Sequence, residues 1–314
     1  MTELVKIRSG NWELSGVVHT PQLPPERRAG VLVLHENFNT KFGTHRMFYQ
    51  LGEALAAAGL YALRHDNRGT CDSSDIHSLT FEDRVADACA AARFFKNEYR
   101  LDSIFFWGLC MGGAVALHSS AQLMREQPQG MMLCSLLADP LDASLPQSGY
   151  DRVNLNRFVE GVSRGNLLRK ASRLVTDSTY RQKVGRFLTR LITRSSARNP
   201  ELVRLQGKIS QVGRLLSEYT GPIVLVFGDK ALCWAHFAAR VNVNDKLALA
   251  RMGSRRTLLL MENGDHTFSS LQQTEKLIAW TVEWAEGLRD GSQAQFAYSK
   301  VGVNRGIPVA SIAD

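Results

Sequence analysis

The chain has 314 residues, 44% hydrophobic and 22% charged. That is enough for one large α/β domain with a sizeable core, and too apolar for wholesale disorder. The longest apolar stretches, such as Gly130 to Ala138, fall far short of the roughly 20 residues a membrane helix needs, and Met1-Thr2-Glu3-Leu4-Val5-Lys6 lacks the apolar run of a secretion signal, so a cytoplasmic protein with no membrane or nucleic-acid partner is expected. The net charge of +8 is uneven: Tyr150 to Tyr219 holds fifteen Lys and Arg against five Asp and Glu, so the basicity belongs to one segment.

In chain order, Trp12 to Thr20 reads as an early antiparallel strand, followed by a Pro-rich turn. Val31-Leu32-Val33-Leu34 suits a buried strand, and Thr44 to Ala58 an amphipathic helix closed by Gly59. Leu60 to Leu63 is the next strand, Phe81 to Phe95 the next helix, and Ser103 to Trp107 a strand that ends at Gly108. A helix follows from Met111 to Met124, then a sixth strand from Met131 to Leu137 that ends at Asp139-Pro140. The alternation of strand and helix is that of a parallel sheet covered on both faces. Residues 141–219 break it and read as helices, with Leu167, Leu168, Ala171, Leu174 and Val175 on helical spacing. Strands return at Ile223 to Phe227 and Thr257 to Met261, and a last helix at Leu271 to Leu288. The expected organisation is a core of residues 1–140 and 220–290, a basic helical lid over 141–219, and a tail over 291–314 with no assigned role.

Five cysteines, at 71, 89, 110, 134 and 233, have no C-x-x-C spacing and no His partner cluster. Neither a disulfide framework nor a metal site is expected, and no cofactor is called for. One cysteine lies in a motif. Trp107-Gly108-Leu109-Cys110-Met111-Gly112-Gly113 joins an apolar strand to a helix as G-x-Nuc-x-G-G. So sharp a turn has no room for side chains two residues before and after the nucleophile. It presents the Cys110 thiol at a helix N-terminus, where the helix dipole favours thiolate. The N–H of Met111 then faces the same point and can donate to an oxyanion. A glycine-rich turn with an incidental cysteine would carry the same letters, but the strand and helix on either side favour the nucleophile. His266, in Asn263-Gly264-Asp265-His266-Thr267, follows the last strand and is the candidate base.

These residues resemble the α/β-hydrolase superfamily over most of the chain outside the insertion and tail. The elbow and His35-Glu36-Asn37 are similar to dienelactone-hydrolase-type enzymes, which use cysteine; Gly43-Thr44-His45-Arg46-Met47-Phe48 and Asp66-Asn67-Arg68-Gly69 resemble the serine-aminopeptidase-like branch. The resemblance implies the α/β-hydrolase fold, a mostly parallel central sheet flanked by helices with a helical lid inserted after strand six. It implies a Cys110–His266 pair and an oxyanion hole built from Met111 and Glu36 or Asn37, with the Glu36 carboxylate able to hold the resting thiol. Arg68-Gly69 is expected to shape the turn after the fourth strand.

The acid departs from the pattern. The usual carboxylate lies two or three residues beyond a glycine after the seventh strand, where this chain reads Gly228-Asp229-Lys230-Ala231. Asp229 is one candidate; Asp139, after the sixth strand, is favoured, since a carboxylate there could orient His266. Cys110, Asp139 after 29 residues, and a late His266 resemble the Dieckmann cyclases of tetramate and pyridone biosynthesis, which release polyketide–peptide chains from a carrier protein. Cysteine suits that chemistry, because an acyl thioester stays electrophilic toward carbon. The resemblance implies an acidic acyl or peptidyl carrier protein with a phosphopantetheine arm as partner. Arg186, Arg190 and Arg194, spaced by four residues along one helix face, could dock it; a solvated lid surface is the plainer reading of the same stripe. A hydrolytic thioesterase, esterase or lactone hydrolase, and a non-catalytic binding protein on the same fold, remain the alternatives.

Overall fold

Eight strands make one sheet: β1 (Thr2–Ser9), β2 (Trp12–His19), β3 (Ala29–Leu34), β4 (Tyr61–His65), β5 (Ser103–Leu109), β6 (Gly130–Cys134), β7 (Ile223–Gly228) and β8 (Arg256–Met261). Their order is β1-β2-β4-β3-β5-β6-β7-β8, antiparallel for the first two pairings and parallel for the rest. The computed structural model describes residues 1–23, 25–36, 39–123, 126–138, 200–237 and 256–292. Asn37, Asp139, Arg186, Arg190, Arg194 and the tail beyond Ser292 therefore lie outside the described residues.

The burial of each strand follows its position. β3, β4, β6 and β7 are buried at every residue, as expected of parallel strands covered on both faces. β1 is an edge strand buried only at Ile7 and Ser9; its alternation is confined to Val5-Lys6-Ile7-Arg8, and pairing with β2 from Thr2↔His19 to Ser9↔Trp12 makes it a strand. β6 stops at Cys134, short of the expected Leu137, because Ser135 turns to φ 47°.

Helices α1 (Met47–Ala57), α2 (Phe81–Glu98), α3 (Met111–Gln122) and α6 (Leu271–Asp290) flank the sheet, with α4 (Pro200–Ser210) and α5 (Val212–Glu218) between β6 and β7. α2 and α3 pack together and on β3 and β5, while α1 meets β2, β4 and α6. α2 starts with a capping box, in which Thr80 Oγ1 accepts from the Asp83 N–H and Asp83 accepts from the Thr80 N–H. On β5, the wholly buried Trp107 donates from Nε1 to Thr281 Oγ1 of α6 at 3.1 Å and meets Phe48 of α1 edge-to-face at 5.6 Å. The elbow strand is thus clamped from that side by two helices.

The chain divides into two compact units, residues 1–139 with 209–314 and residues 140–208. The division counts α5 with the first unit, where it packs on α3.

The turn after β4 is held by a buried charge. Asp87 of α2, wholly buried, accepts from the Arg68 N–H at 2.9 Å and from the Arg68 guanidinium at 2.9 and 2.5 Å. Arg68 also donates to Ser9 Oγ at 2.9 Å and to Asp83 at 3.1 Å, joining β1, the turn and α2. This is the turn-shaping role the sequence suggests for Arg68. Removing one partner strands the other charge in a site it cannot leave. Asp87→Ala should therefore lower the unfolding free energy by about 3 kcal/mol or more, read by urea titration; a loss below about 1 kcal/mol would contradict the pairing.

Candidate active site

Between β5 and α3 the backbone turns through Cys110 at φ 58° and ψ −115°, a conformation that L-residues adopt only under constraint. The constraint is local. A Cβ on Gly108 would stand 2.6 Å from the Gly112 carbonyl oxygen, and one on Gly112 would overlap the Leu34 carbonyl at the end of β3. Only glycine lets the first turn of α3 lie so close to β3 and β5. Two backbone bonds lock the bend: the Cys110 N–H donates to Cys134 O of β6 at 2.8 Å, and the Gly113 N–H to Cys110 O at 3.1 Å. Cys110 is 3% exposed. Met111 opens α3, so its N–H is one of the first four, which have no intrahelical acceptor. The other thiols differ. Burial pushes Cys134 well up and raises Cys89, which lies against Ser119 O, and both are suited to packing.

His266 lies on the loop after β8. Gly228 at the end of β7 and Gly264 touch backbone to backbone: a Cβ on Gly264 would be 2.8 Å from the Gly228 Cα. The contact is fixed by the Asp229 N–H to Met261 O at 3.0 Å and the Lys230 N–H to Gly264 O at 2.9 Å. The loops after β7 and β8 are thereby joined, and they bring Cys233 Sγ to 3.4 Å from His266 Nδ1. Asp265 is turned away, accepting from the Thr267 and Ser269 N–H groups at 2.9 and 3.1 Å. Asp229 meets Lys230 Nζ at 3.4 Å through one oxygen while the other is buried without a partner among the described residues.

The loop after β3, where the second oxyanion donor is expected, is braced from below. The Glu36 carboxylate accepts from Asn39 Nδ2 at 2.9 Å and Thr44 Oγ1 at 3.0 Å. Both bonds go to Oε1, and Oε2 is buried without a hydrogen-bond partner among the described residues. Lys41, with its side chain 2% exposed, places Nζ 2.5 Å from Asp66 and 2.6 Å from Asp72. Its N–H also donates to Asp66 at 2.7 Å, and its carbonyl accepts from Arg64 at 2.8 Å. Burial works against the ammonium, yet the two carboxylates outweigh it and raise the Lys41 pKa. Asp66, Cys71 and Asp72 group their ligand-type atoms within 4.8 Å, but the Lys41 ammonium already bonds both carboxylates and offsets half of their charge. The apolar-poor sequence around Lys41 gives no sign of this burial, which arises only when the loop folds onto β4.

Two buried histidines end the neighbouring strands. His35 bonds Glu36 O through Nδ1 at 2.8 Å and Asn67 through Nε2 at 3.2 Å, which fits a neutral ring protonated at Nδ1. Burial pushes its pKa down to about 3, and the nearby His65 and Arg84 act the same way. Burial also lowers His65, whose two ring nitrogens are buried without partners among the described residues. A cavity of about 620 Å³ lies elsewhere, between the β1–β2 turn and α2, lined in part by Arg8, Trp12 and Arg93, and neither Cys110 nor His266 lines it.

The buried neutral ring of His35 has a stability consequence. Unfolding returns it from about 3 to the ordinary value of 6.5, so the unfolded chain takes up the proton first. His35 then favours the folded state fully above about pH 6.5, and that contribution falls as the pH drops toward 3, at up to about 1.4 kcal/mol per pH unit. His35→Gln should flatten the loss of stability between pH 7 and 5 in urea titrations; an unchanged slope would contradict this.

Residues 27–207 match the family described as Serine aminopeptidase, S33. No curated protein matches the chain in sequence. Among solved structures, Est1E from Butyrivibrio proteoclasticus is similar with a TM-score of 0.58 at 15% identity, over 92% of this chain and 99% of that one. Dienelactone hydrolase from Anabaena variabilis gives 0.54 at 13% identity, over 90% and 96%. A thermophilic esterase from Thermogutta terrifontis gives 0.54 at 20% identity, over 91% and 99%. At such identities the likeness speaks of the fold. The family match spans the β3 loop and the elbow and stops before β7 and His266. More than half of the chain is covered, and the strand order, elbow and flanking helices agree with it: the protein has the α/β-hydrolase fold and belongs to the serine aminopeptidase S33 family of hydrolases.

Proposed function

We propose that the protein is an acyl-transfer hydrolase in which Cys110 is the nucleophile and His266 the base, acting on an ester, thioester or lactone. One observation carries the reading: a cysteine, where the family's name says serine, occupies the positive-φ bend between β5 and α3. The similarity to an esterase and a dienelactone hydrolase in fold supports it.

The chemistry follows from the parts. His266 takes the Cys110 Sγ proton, and the thiolate attacks the acyl carbonyl. The oxygen of the tetrahedral intermediate receives the Met111 N–H and a second N–H from the loop after β3, at Glu36 or Asn37. Collapse breaks the bond to the leaving alcohol or thiol, which takes its proton from His266. Water, deprotonated by the same imidazole, then cleaves the acyl-Cys110 thioester and releases the acid. Asp139 is the proposed acid for His266, with Asp229 as the alternative.

A second reading keeps the first half-reaction and changes the second. The thiol nucleophile is the feature that favours it. A chain bearing an acidic C–H between two carbonyls, delivered by an acidic carrier protein on a phosphopantetheine thioester, would acylate Cys110. His266 would then remove that proton, and the carbanion would attack the acyl carbonyl, closing a tetramate- or pyridone-type ring and expelling the Cys110 thiolate. This is Dieckmann cyclisation, with Arg186, Arg190 and Arg194 as the proposed docking stripe. Neither reading calls for a cofactor.

Product mass separates the two readings. A thioester β-ketoamide should yield free acid with the mass of one added water if the first holds, and a ring product with thiol release and no added water if the second does. Cys110→Ala should cut turnover about a thousandfold or more; full activity in that variant would end both readings. Asp139→Asn should lower kcat at least about tenfold more than Asp229→Asn, and the reverse ranking would reassign the acid.

A further inference from the structure

The Nδ1 side of the proposed base is occupied by sulfur. Cys233 Sγ lies 3.4 Å from His266 Nδ1, within the range of a sulfur hydrogen bond. The place is built, not incidental. Cys233 is 3% exposed, in the helical residues 232–237 that follow β7. Trp234 and Phe237, which follow it in the same helical turn, pack on the buried Phe227, with ring centroids at 5.6 and 4.9 Å. The Gly228–Gly264 contact ties this segment to the His266 loop. On the same loop as His266, Asp265 accepts from the Thr267 and Ser269 N–H groups. Ala231, two residues before Cys233, offers only a methyl group and is 2% exposed.

We infer that Cys233 is a positioning residue whose Sγ accepts the Nδ1–H of His266 and fixes the ring with Nε2 as its basic nitrogen. The inference rests on the reading of His266 as base. The Cys110 proton then moves to Nε2, while the Nδ1 proton stays where it is. No bond to carbon forms or breaks at Cys233, and its own thiol proton points away from the ring. Sulfur is a weak acceptor and carries no full charge, so it sets orientation and tautomer. Sequence inspection finds the thiol but not this role, because nothing local joins positions 233 and 266.

The test uses the full chain and p-nitrophenyl acetate as acyl donor. Cys233→Ala should lower kcat about tenfold with KM changed less than about twofold. Cys233→Ser, whose oxygen also accepts, should restore most of the rate. The imidazole nitrogen shifts of His266, read by ¹⁵N NMR, should report the Nδ1–H tautomer in the wild type, a tautomer mixture in Cys233→Ala and recovery in Cys233→Ser. An unchanged spectrum and wild-type kcat in Cys233→Ala would overturn the inference while leaving Cys110 and His266 as they are. A changed spectrum in a protein that p-nitrophenyl acetate never acylates at Cys110 would keep the contact and remove the hydrolase reading instead.

Discussion

The close approach of the Gly112 backbone to the end of β3 governs the rest of the site. Because a Cβ cannot fit there, α3 can start almost on top of the sheet, and the only path from β5 into that helix runs through a positive-φ residue. Strain at Cys110 is offset by bonds to β6 and by the packing of Trp107 between α1 and α6. The result is a cysteine held in a strained bend at the N-terminus of α3, where the helix dipole favours a thiolate.

Around this bend the protein uses buried charge to stiffen the loops that must be placed well. Lys41 with Asp66 and Asp72 anchors the loop after β3, and Arg68 with Asp87 anchors the turn after β4. Such pairs add less net stability than their short distances suggest, since desolvation offsets much of the attraction. Their effect is to choose one loop geometry over others. The buried neutral histidines at the ends of β3 and β4 belong to the same layer, and they tie its integrity to pH.

The sequence was informative where physics is local. The β3, β5 and β7 strands, four flanking helices and the elbow all follow from apolar runs and glycine spacing within a few residues. β1 is hard to read because its alternation covers only Val5-Lys6-Ile7-Arg8 and most of its side chains are exposed. β6 was read too long because Leu136 and Leu137 are apolar, while the break comes from the backbone of Ser135. At the site, Cys110 and His266 could be named from their places in the order of strands. Lys41 inside a carboxylate pair and Cys233 against an imidazole could not, because each depends on two loops meeting. The bonds of Glu36 Oε1 to Asn39 and Thr44 are likewise not legible, because they depend on how the loop after β3 folds back on itself.

The central claim is that Cys110, among five thiols, forms the covalent acyl-enzyme. The direct measurement is peptide mass spectrometry of the full-length protein quenched during turnover of an activated thioester. The account predicts one acyl group, carried on the peptide that contains Cys110 and lost again when substrate is exhausted. An acyl group found instead on Cys71, Cys89, Cys134 or Cys233, or turnover with no acylated peptide at all, would contradict it.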